Sequence, residues 1–196
     1  MMKFMSAALL AMLILTSCAP KENSPDGIGR NDIIILSDKQ VSNFINILPA
    51  LLKFSDDYNS KLSPSEKDAT NADLKFFEAI ASDPSVRKIT SLYNFSSTGE
   101  MITVYKNVVL EYTSITRNFT NYQADLESLK QTIDSFKSNY TIGLQDKSLN
   151  DEDRKIILSR LKDLAEDEKR VSNIITVKKF EKQIDDVYVN YYKKKD

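Results

Sequence analysis

The sequence has no histidine and no tryptophan, and its 196 residues include one cysteine, four glycines and five prolines. Without histidine and with a single thiol, catalysis would have to rely on carboxylates, lysine, serine or tyrosine. A single cysteine also excludes an intramolecular disulfide, so side-chain packing must hold the fold together. The scarcity of glycine and proline favours helices over a fold rich in β-turns.

Neither sign of charge is in large excess, because 27 basic and 28 acidic residues leave a net charge of −1. A dedicated nucleic-acid-binding protein would show a basic surface, so we expect no nucleic-acid partner. Neighbouring acids occur at three places in helical segments, where they are interleaved with lysine and arginine as on a solvated face. The three groups are Asp56 and Asp57; Glu166, Asp167 and Glu168; and Asp185 and Asp186.

Motifs with a known catalytic or ligand-binding chemistry are missing from the sequence, which contains no P-loop, GxSxG, HExxH or EF-hand pattern. The neighbouring acids are the remaining candidates for acid–base groups or for a cation site, and charge runs of this kind seldom indicate catalysis. We therefore expect a protein that is not an enzyme and that binds no metal ion and no cofactor.

A long hydrophobic run occurs at the N-terminus, where residues 4–15 carry no charge and follow a single lysine. This run is too short to span a bilayer, which takes about 20 apolar residues. The pattern predicts a secretory signal peptide. Directly after it, Leu15, Thr16, Ser17 and Cys18 form a motif that resembles the lipobox of bacterial lipoproteins.

The resemblance implies that signal peptidase II cuts between Ser17 and Cys18, and that acyl chains such as palmitate are attached at Cys18. Two or more acyl chains anchor a protein stably, so the membrane is an expected partner through this lipid. The residue after the cysteine is Ala19 and not an aspartate. By the same resemblance, this favours sorting of the lipoprotein to the outer membrane. The face of the membrane is left open. The alternative, an ordinary signal peptide with a chance cysteine, is disfavoured because the only cysteine lies at the cleavage position.

These features divide the chain into a cleaved signal peptide (1–17), a lipidated N-terminus with a flexible tether (18–36) and a helical domain (37–196). Residues 19–32 are polar and lack periodicity, which is typical of a tether. Residues 33–36 are apolar. They form either a single strand or, as we favour because no second strand is available, a segment packed against the first helix.

Several patterns in the helical domain predict helix starts. Each combines a capping residue with a glutamate or glutamine three residues later, with a proline at the first helical position, or with acids in the first turn. The capping residues are Ser37, Ser63, Asp83, Ser97 and Asn150. Pro49 lies inside the first helical pattern, and we expect it to kink that helix or divide it in two.

Residues 99–140 carry the most regular pattern of the chain. Apolar or aromatic side chains follow one another in steps of four and three, a period of 3.5 that predicts a coiled-coil-like seam along one long helix. About forty residues at 1.5 Å each would extend ~60 Å, and Gly143 supplies a stop. The seam residues are Met101, Tyr105, Val108, Tyr112, Ile115, Phe119, Tyr122, Leu126, Leu129, Ile133, Phe136 and Tyr140.

A second, weaker seam begins after Asn150 and continues to Tyr191, with Glu168 at one of its positions. Two long helices joined by a short polar connection pair most simply as an antiparallel hairpin. The sequence therefore predicts an all-α fold, an elongated helical bundle built on a long antiparallel helical hairpin with shorter N-terminal helices.

Two stretches of this domain, FINILPALLKFSDDYNSKL at 44–62 and LYNFSSTGEMITVYKNVVLEYTSI at 92–115, are similar in layout to small helical envelope proteins of unknown function. The shared features are a Pro-Leu helix, a Phe-Ser turn and a helix with a valine and tyrosine face. The resemblance implies a location in the cell envelope and brings no activity and no site residue.

Tyrosines occupy four positions of the first seam and form a second cluster before the C-terminal lysines. At helical spacing, tyrosine is more often a core or boundary residue than the wall of a ligand channel. A frayed tail likewise explains the C-terminal cluster better than a membrane contact does. The residues are Tyr105, Tyr112, Tyr122 and Tyr140, then Tyr188, Tyr191 and Tyr192.

Three functional hypotheses follow. The first is a non-enzymatic envelope lipoprotein that binds or scaffolds a macromolecular partner, such as a protein, through a helical surface. The alternative is a carrier or chaperone of a lipid or another apolar ligand, suggested by the aromatic seam residues. An enzyme that uses carboxylates is the third and the least favoured.

Overall fold

The computed structural model describes residues 33–63, 65 and 72–194, with the exception of the side chains of residues 72–74. Within these ranges the chain forms seven helices and no strand. The predicted all-α bundle with an antiparallel helical hairpin is confirmed. The helices are α1 (Asp38–Lys61), α2 (Ala72–Ser82), α3 (Pro84–Leu92), α4 (Thr98–Asn118), α5 (Tyr122–Gly143), α6 (Asp151–Lys178) and α7 (Glu181–Lys193).

Local capping chemistry sets where most of these helices begin. Ser37 accepts a hydrogen bond from the backbone N–H of Gln40, and the Gln40 side chain accepts one from the backbone N–H of Ser37. The Asp83 carboxylate caps α3, with Pro84 at its first position. Asn150 caps α6 through the backbone N–H of Asp153 at 2.9 Å. These predicted starts are confirmed because a capping bond depends on residues only a few positions apart.

Two predicted starts differ from expectation or lie outside the described residues. Ser97 caps α4, but the Glu100 carboxylate accepts from the backbone N–H of Ser96 at 2.7 Å, so the reciprocal bond of a capping box is shifted by one residue. Pro64, which carries the start expected after Ser63, is not among the described residues.

Pro49 does not divide the first helix, since α1 continues through it from Asp38 to Lys61. Proline removes one backbone hydrogen bond and crowds the preceding turn. The loss is offset because Ile47, Leu48 and Leu51, on both sides of the proline, are all buried in the core. Tertiary packing therefore outweighs the local preference here.

The single long helix expected over residues 99–140 is wrong. The chain leaves the helix after Asn118 and starts α5 at Tyr122. Asn121 caps α5 through the backbone N–H of Ala124, and the Asp125 carboxylate accepts from the backbone N–H of Asn121 at 2.8 Å. The second seam is interrupted as well, because α6 ends at Lys178 and α7 starts at Glu181.

Helices α5 and α6 run antiparallel. Tyr122 at the start of α5 lies under the ammonium of Lys178 at the end of α6, 4.9 Å from ring centre to Nζ. At the opposite end, Gly143 lies close to the side chain of Ile157, because a Cβ at this glycine would be 3.5 Å from the Ile157 methyl carbon. Between these ends, the Lys137 ammonium pairs with the Glu168 carboxylate.

The core lies at one end of the hairpin, where α4 packs against α1, α2, α3 and α6, and where α1 also packs against α6 and α7. Its most fully buried apolar side chains are Val41, Phe44, Ile47, Leu48, Leu51, Ile80, Val86, Met101, Val104, Val108, Ile174, Val177 and Ile184. By contrast, no residue in 134–163, a range that the structure describes in full, is buried. We call this far part of the hairpin, residues 134–163, the arm.

Residues 33–36, which were expected to end the tether, lie against the body and form neither a helix nor a strand. Ile33 and Leu36 are buried. The hydrogen bonds of this segment are made with α4 and α6 rather than with the first helix.

Candidate functional site

The two site residues predicted from the lipobox, Ser17 and Cys18, lie outside the described residues. Lipidation at Cys18 and cleavage after Ser17 therefore stay predictions. Among the helices that the structure describes, none is both long enough and apolar enough to cross a membrane.

The neighbouring acids of the sequence are distributed over three separate parts of the body. Asp56, on α1, accepts a hydrogen bond from the hydroxyl of Tyr191 on α7. Asp185, on α7, accepts one from the hydroxyl of Tyr112 on α4. Asp57 and Asp186, which follow them in the sequence, are exposed.

The third acidic group lies on α6, and its members point to different neighbours. Glu166 pairs with Lys169 at 2.9 Å, and Glu168 pairs with Lys137 on α5. No cluster of three or more acidic or cysteine side chains with metal-binding geometry occurs within 33–63 and 75–194. Four of these acids thus pair with a lysine or a tyrosine, namely Asp56, Glu166, Glu168 and Asp185.

One carboxylate that the sequence analysis did not single out is the most deeply buried charged group described. Glu111 on α4 has a fully buried side chain, and its two oxygens accept from Nε and Nη2 of Arg170 on α6 at 3.0 and 3.4 Å. Burial raises the pKa of Glu111, an effect that the Arg170 charge opposes. A bidentate pair of this kind fixes the position of α4 against α6.

The predicted seam tyrosines are boundary residues. Tyr105 is edge-on to the rings of Phe44 and Phe77, at 5.8 and 5.7 Å between centroids. Tyr112 stacks on Tyr188 at 5.9 Å. The other two are dispersed: Tyr122 lies at the start of α5, and Tyr140 stacks on Phe136 within the arm.

The hydroxyls of Tyr112 and Tyr191 donate hydrogen bonds to carboxylates. Burial, reinforced by hydrogen bonds to Asp185 and Asp56, raises the pKa values of Tyr112 and Tyr191. Burial also raises the pKa of Tyr188, next to the rings of Tyr105 and Tyr112. These hydroxyls therefore stay protonated at neutral pH.

Among the open recesses of the described surface, two lie between helices of the body. One, of about 240 Å³, lies between α5 and α6 and is lined by Lys130, Ile133, Asp134, Glu168 and Val171. The other, of about 510 Å³, lies between α1 and α7 and is lined by Lys53, Asp56, Asp57, Ser60, Tyr191 and Lys194. Three of the five and four of the six lining residues are charged. Apolar binding sites are lined mainly by hydrophobic and aromatic side chains, and neither recess has that character.

The arm presents a different surface, because large apolar side chains on both of its helices are open to solvent. Phe136 is 50% exposed, Ile142 62%, Ile156 53% and Leu158 52%. Ile142 lies nine residues after the seam residue Ile133, which places it on the opposite side of α5 at 100° per residue. Exposed apolar side chains therefore occur outside the α5–α6 seam as well as at its edge.

Comparisons of the chain with protein-family models, with curated proteins and with solved structures gave no match.

Proposed function

We propose that this chain is a cell-envelope lipoprotein, anchored in the outer membrane through Cys18, that binds or scaffolds a macromolecular partner without catalysing a reaction. The lipobox-like motif ending in Cys18 supports the anchor. The solvent-exposed apolar side chains of the arm support the binding of a partner. The exposed apolar side chains are the main support for the proposal, because they identify the surface that would bind the partner.

The anchor is tested by metabolic labelling with palmitate and by fractionation of the membranes. The unmodified chain should incorporate label and sediment with the outer membrane, whereas the Cys18→Ser chain should do neither. Ser17→Ala is the matched control, because alanine is also small and should leave lipidation intact. Labelled, membrane-bound Cys18→Ser protein would contradict the proposal.

The chemistry of the arm favours a protein partner. Its 30 residues carry six acidic and six basic side chains, so it offers no net charge to a nucleic acid or to an anionic lipid surface. Isolated exposed apolar residues are common on protein surfaces. In the arm, however, four of them occur on two paired helices in a region where no side chain is buried, which is the form of a helical docking surface.

A photo-crosslinking amino acid placed in the arm tests this surface directly. Position Ile142 is the test site, and position Leu92 on α3, which is 67% exposed, is the matched control outside the arm. In cells, we expect a discrete crosslinked protein adduct at Ile142 and not at Leu92. The same adducts at both positions, or no adduct at Ile142, would show that the arm is not the docking surface.

The alternative function, transport of a lipid or another apolar ligand, has less support. Both recesses are open and lined largely by charged groups, and the aromatic side chains pack against one another. Native mass spectrometry of protein prepared without detergent distinguishes the two functions. A bound lipid retained in stoichiometric amount would favour the carrier over the partner-binding protein.

A further inference from the structure

Residues 33–36 occupy a groove formed by α4 and α6, where Ile33 and Leu36 are buried, Ile34 is half-buried and Ile35 is exposed. Ile33 and Leu36 are 8% and 3% exposed, whereas Ile35 is 63% exposed. The segment therefore inserts two apolar side chains, three residues apart, into the body.

Two asparagines hold the backbone of this segment. Asn173 on α6 accepts from the N–H of Leu36 and donates to the carbonyl of Ile34, both at 2.7 Å. Asn107 on α4 accepts from the N–H of Ile34 at 3.3 Å. The Asn107 amide nitrogen donates to the carbonyl of Thr103 at 2.9 Å, which orients its oxygen towards the segment.

The burial of both asparagines shows how specialised this arrangement is. Asn173 is 0% exposed and Asn107 is 2% exposed. A buried amide costs free energy unless its donor and acceptor are both satisfied, and asparagine is a poor residue for a helix interior. Here the partners of Asn173 are a carbonyl and an N–H two residues apart, the spacing at which an extended chain presents both groups to the same side.

We propose that the α4–α6 groove is a recognition site for an extended peptide backbone, and that residues 33–36 of the same chain are its resident ligand. The site binds the backbone at positions 34 and 36 and accepts apolar side chains at positions 33 and 36. It makes no demand on position 35. This inference does not depend on lipidation of Cys18, and if that anchor is present, the site fixes the body to the tether at residue 33.

A proline scan tests the recognition of the backbone, and Ile34→Pro is its decisive variant, because the Ile34 side chain is only half-buried whereas Leu36→Pro also removes a buried side chain. Ile34→Pro removes the N–H that donates to Asn107, and Leu36→Pro removes the N–H that donates to Asn173. Ile35→Pro is the matched control, because the Ile35 N–H has no partner among the described residues and its side chain is exposed. Proline at 35 also favours an extended conformation at Ile34.

The readout is amide hydrogen exchange by NMR in the chain from residue 18 to 196 with Cys18→Ser, which contains every described residue. The Leu36 amide should be protected in the parent and in Ile35→Pro, and should exchange at least tenfold faster in Ile34→Pro. The Ile34 amide should respond in the same way to Leu36→Pro. The amide of Val108, in the core of α4, reports that each variant is folded.

Three outcomes would overturn the proposal. The first is a Leu36 amide in the parent that exchanges as fast as an unstructured peptide. The second is an equal acceleration in Ile35→Pro and Ile34→Pro, because chain stiffness and not hydrogen bonding would then be responsible. The third is protection of Leu36 only in a dimer, measured by light scattering, because the ligand would then be the segment of a second copy.

Discussion

Removal of the charge of Arg170 should leave the chain with a buried carboxylate that has lost its partner. The Glu111 side chain is 0% exposed and that of Arg170 is 30% exposed, and two hydrogen bonds join them. Arg170→Met is the suitable change, because methionine retains an apolar stem of similar length and removes only the guanidinium. Removing the charge of Glu111 instead, as in Glu111→Gln, leaves an arginine that can reach water. We expect this change to lower the stability less.

Protonation of Glu111 limits how much stability Arg170→Met can lose. An unpaired Glu111 can avoid burying its charge by staying protonated, which at pH 7.0 means taking up a proton 2.5 pH units above its ordinary pKa of 4.5. At about 1.36 kcal/mol per unit this costs about 3.4 kcal/mol, close to the ~3–5 kcal/mol expected for a broken buried pair. At pH 5.0 the same cost is about 0.7 kcal/mol.

The sign of the pH dependence follows from the raised pKa of Glu111. A carboxyl whose pKa is higher in the folded state favours folding below its ordinary pKa, and this contribution is lost as the pH rises through the folded-state value. Arg170 opposes the increase in the parent chain. We therefore expect Arg170→Met to lower the free energy of unfolding by about 3 kcal/mol at pH 7.0 and by about 0.7 kcal/mol at pH 5.0.

Urea denaturation followed by circular dichroism at both pH values measures these differences. Lys137→Met is the matched control, because its ion pair with Glu168 is exposed at both ends and should contribute less than about 1 kcal/mol. In the double variant Glu111→Gln and Arg170→Met, the loss should no longer depend on pH. If Arg170→Met loses the same stability at pH 7.0 and at pH 5.0, an ionised, buried Glu111 is not the cause of the loss.

Two further predictions concern the break between α4 and α5 and the buried tyrosines. Asn121→Ala removes the cap of α5 and should lower the free energy of unfolding by about 1 kcal/mol. The control Asn139→Ala, at an exposed position inside α5, should not lower it. Equal losses of the two variants in urea denaturation would argue against the cap. Four of the nine tyrosines have pKa values raised above the ordinary 10.0, mainly by burial. At pH 11, absorbance at 295 nm should therefore show fewer ionised tyrosines in the folded chain than in urea, and stability should fall as the pH rises above 10; the same ionised fraction in both states would contradict their burial.

The helix starts could be predicted because their chemistry is local. The caps at Ser37, Asp83 and Asn150 each depend on residues within three positions, and all three are observed. The seams also predicted much of what is buried or half-buried in α4 to α7. The exception within the first seam is Phe136, which is 50% exposed. It lies in the arm, where α5 and α6 pack only against each other and bury no residue.

The break at residues 119–121 could not be inferred from the seam, because the seam continues through it. Phe119 and Tyr122 remain half-buried and their rings lie 5.8 Å apart, so the apolar spacing is the same as it would be in one helix. The local signal was the capping residue Asn121, with Asp125 four residues later. A regular apolar period thus indicates which side chains face the core, and a capping residue indicates where a new helix begins.

The polar residues that organise the core were missed for a different reason. Glu111, Asn107 and Asn173 have partners 59 to 139 residues away in the sequence, and no spacing rule connects such positions. Each nevertheless lies in a helix among apolar residues, where a side chain of low helix propensity or full charge has a cost that only tertiary partners offset. The same three residues connect α4, α6 and the segment at 33–36. In a body without disulfides, the groups most expensive to bury are therefore those that fix how its parts are arranged.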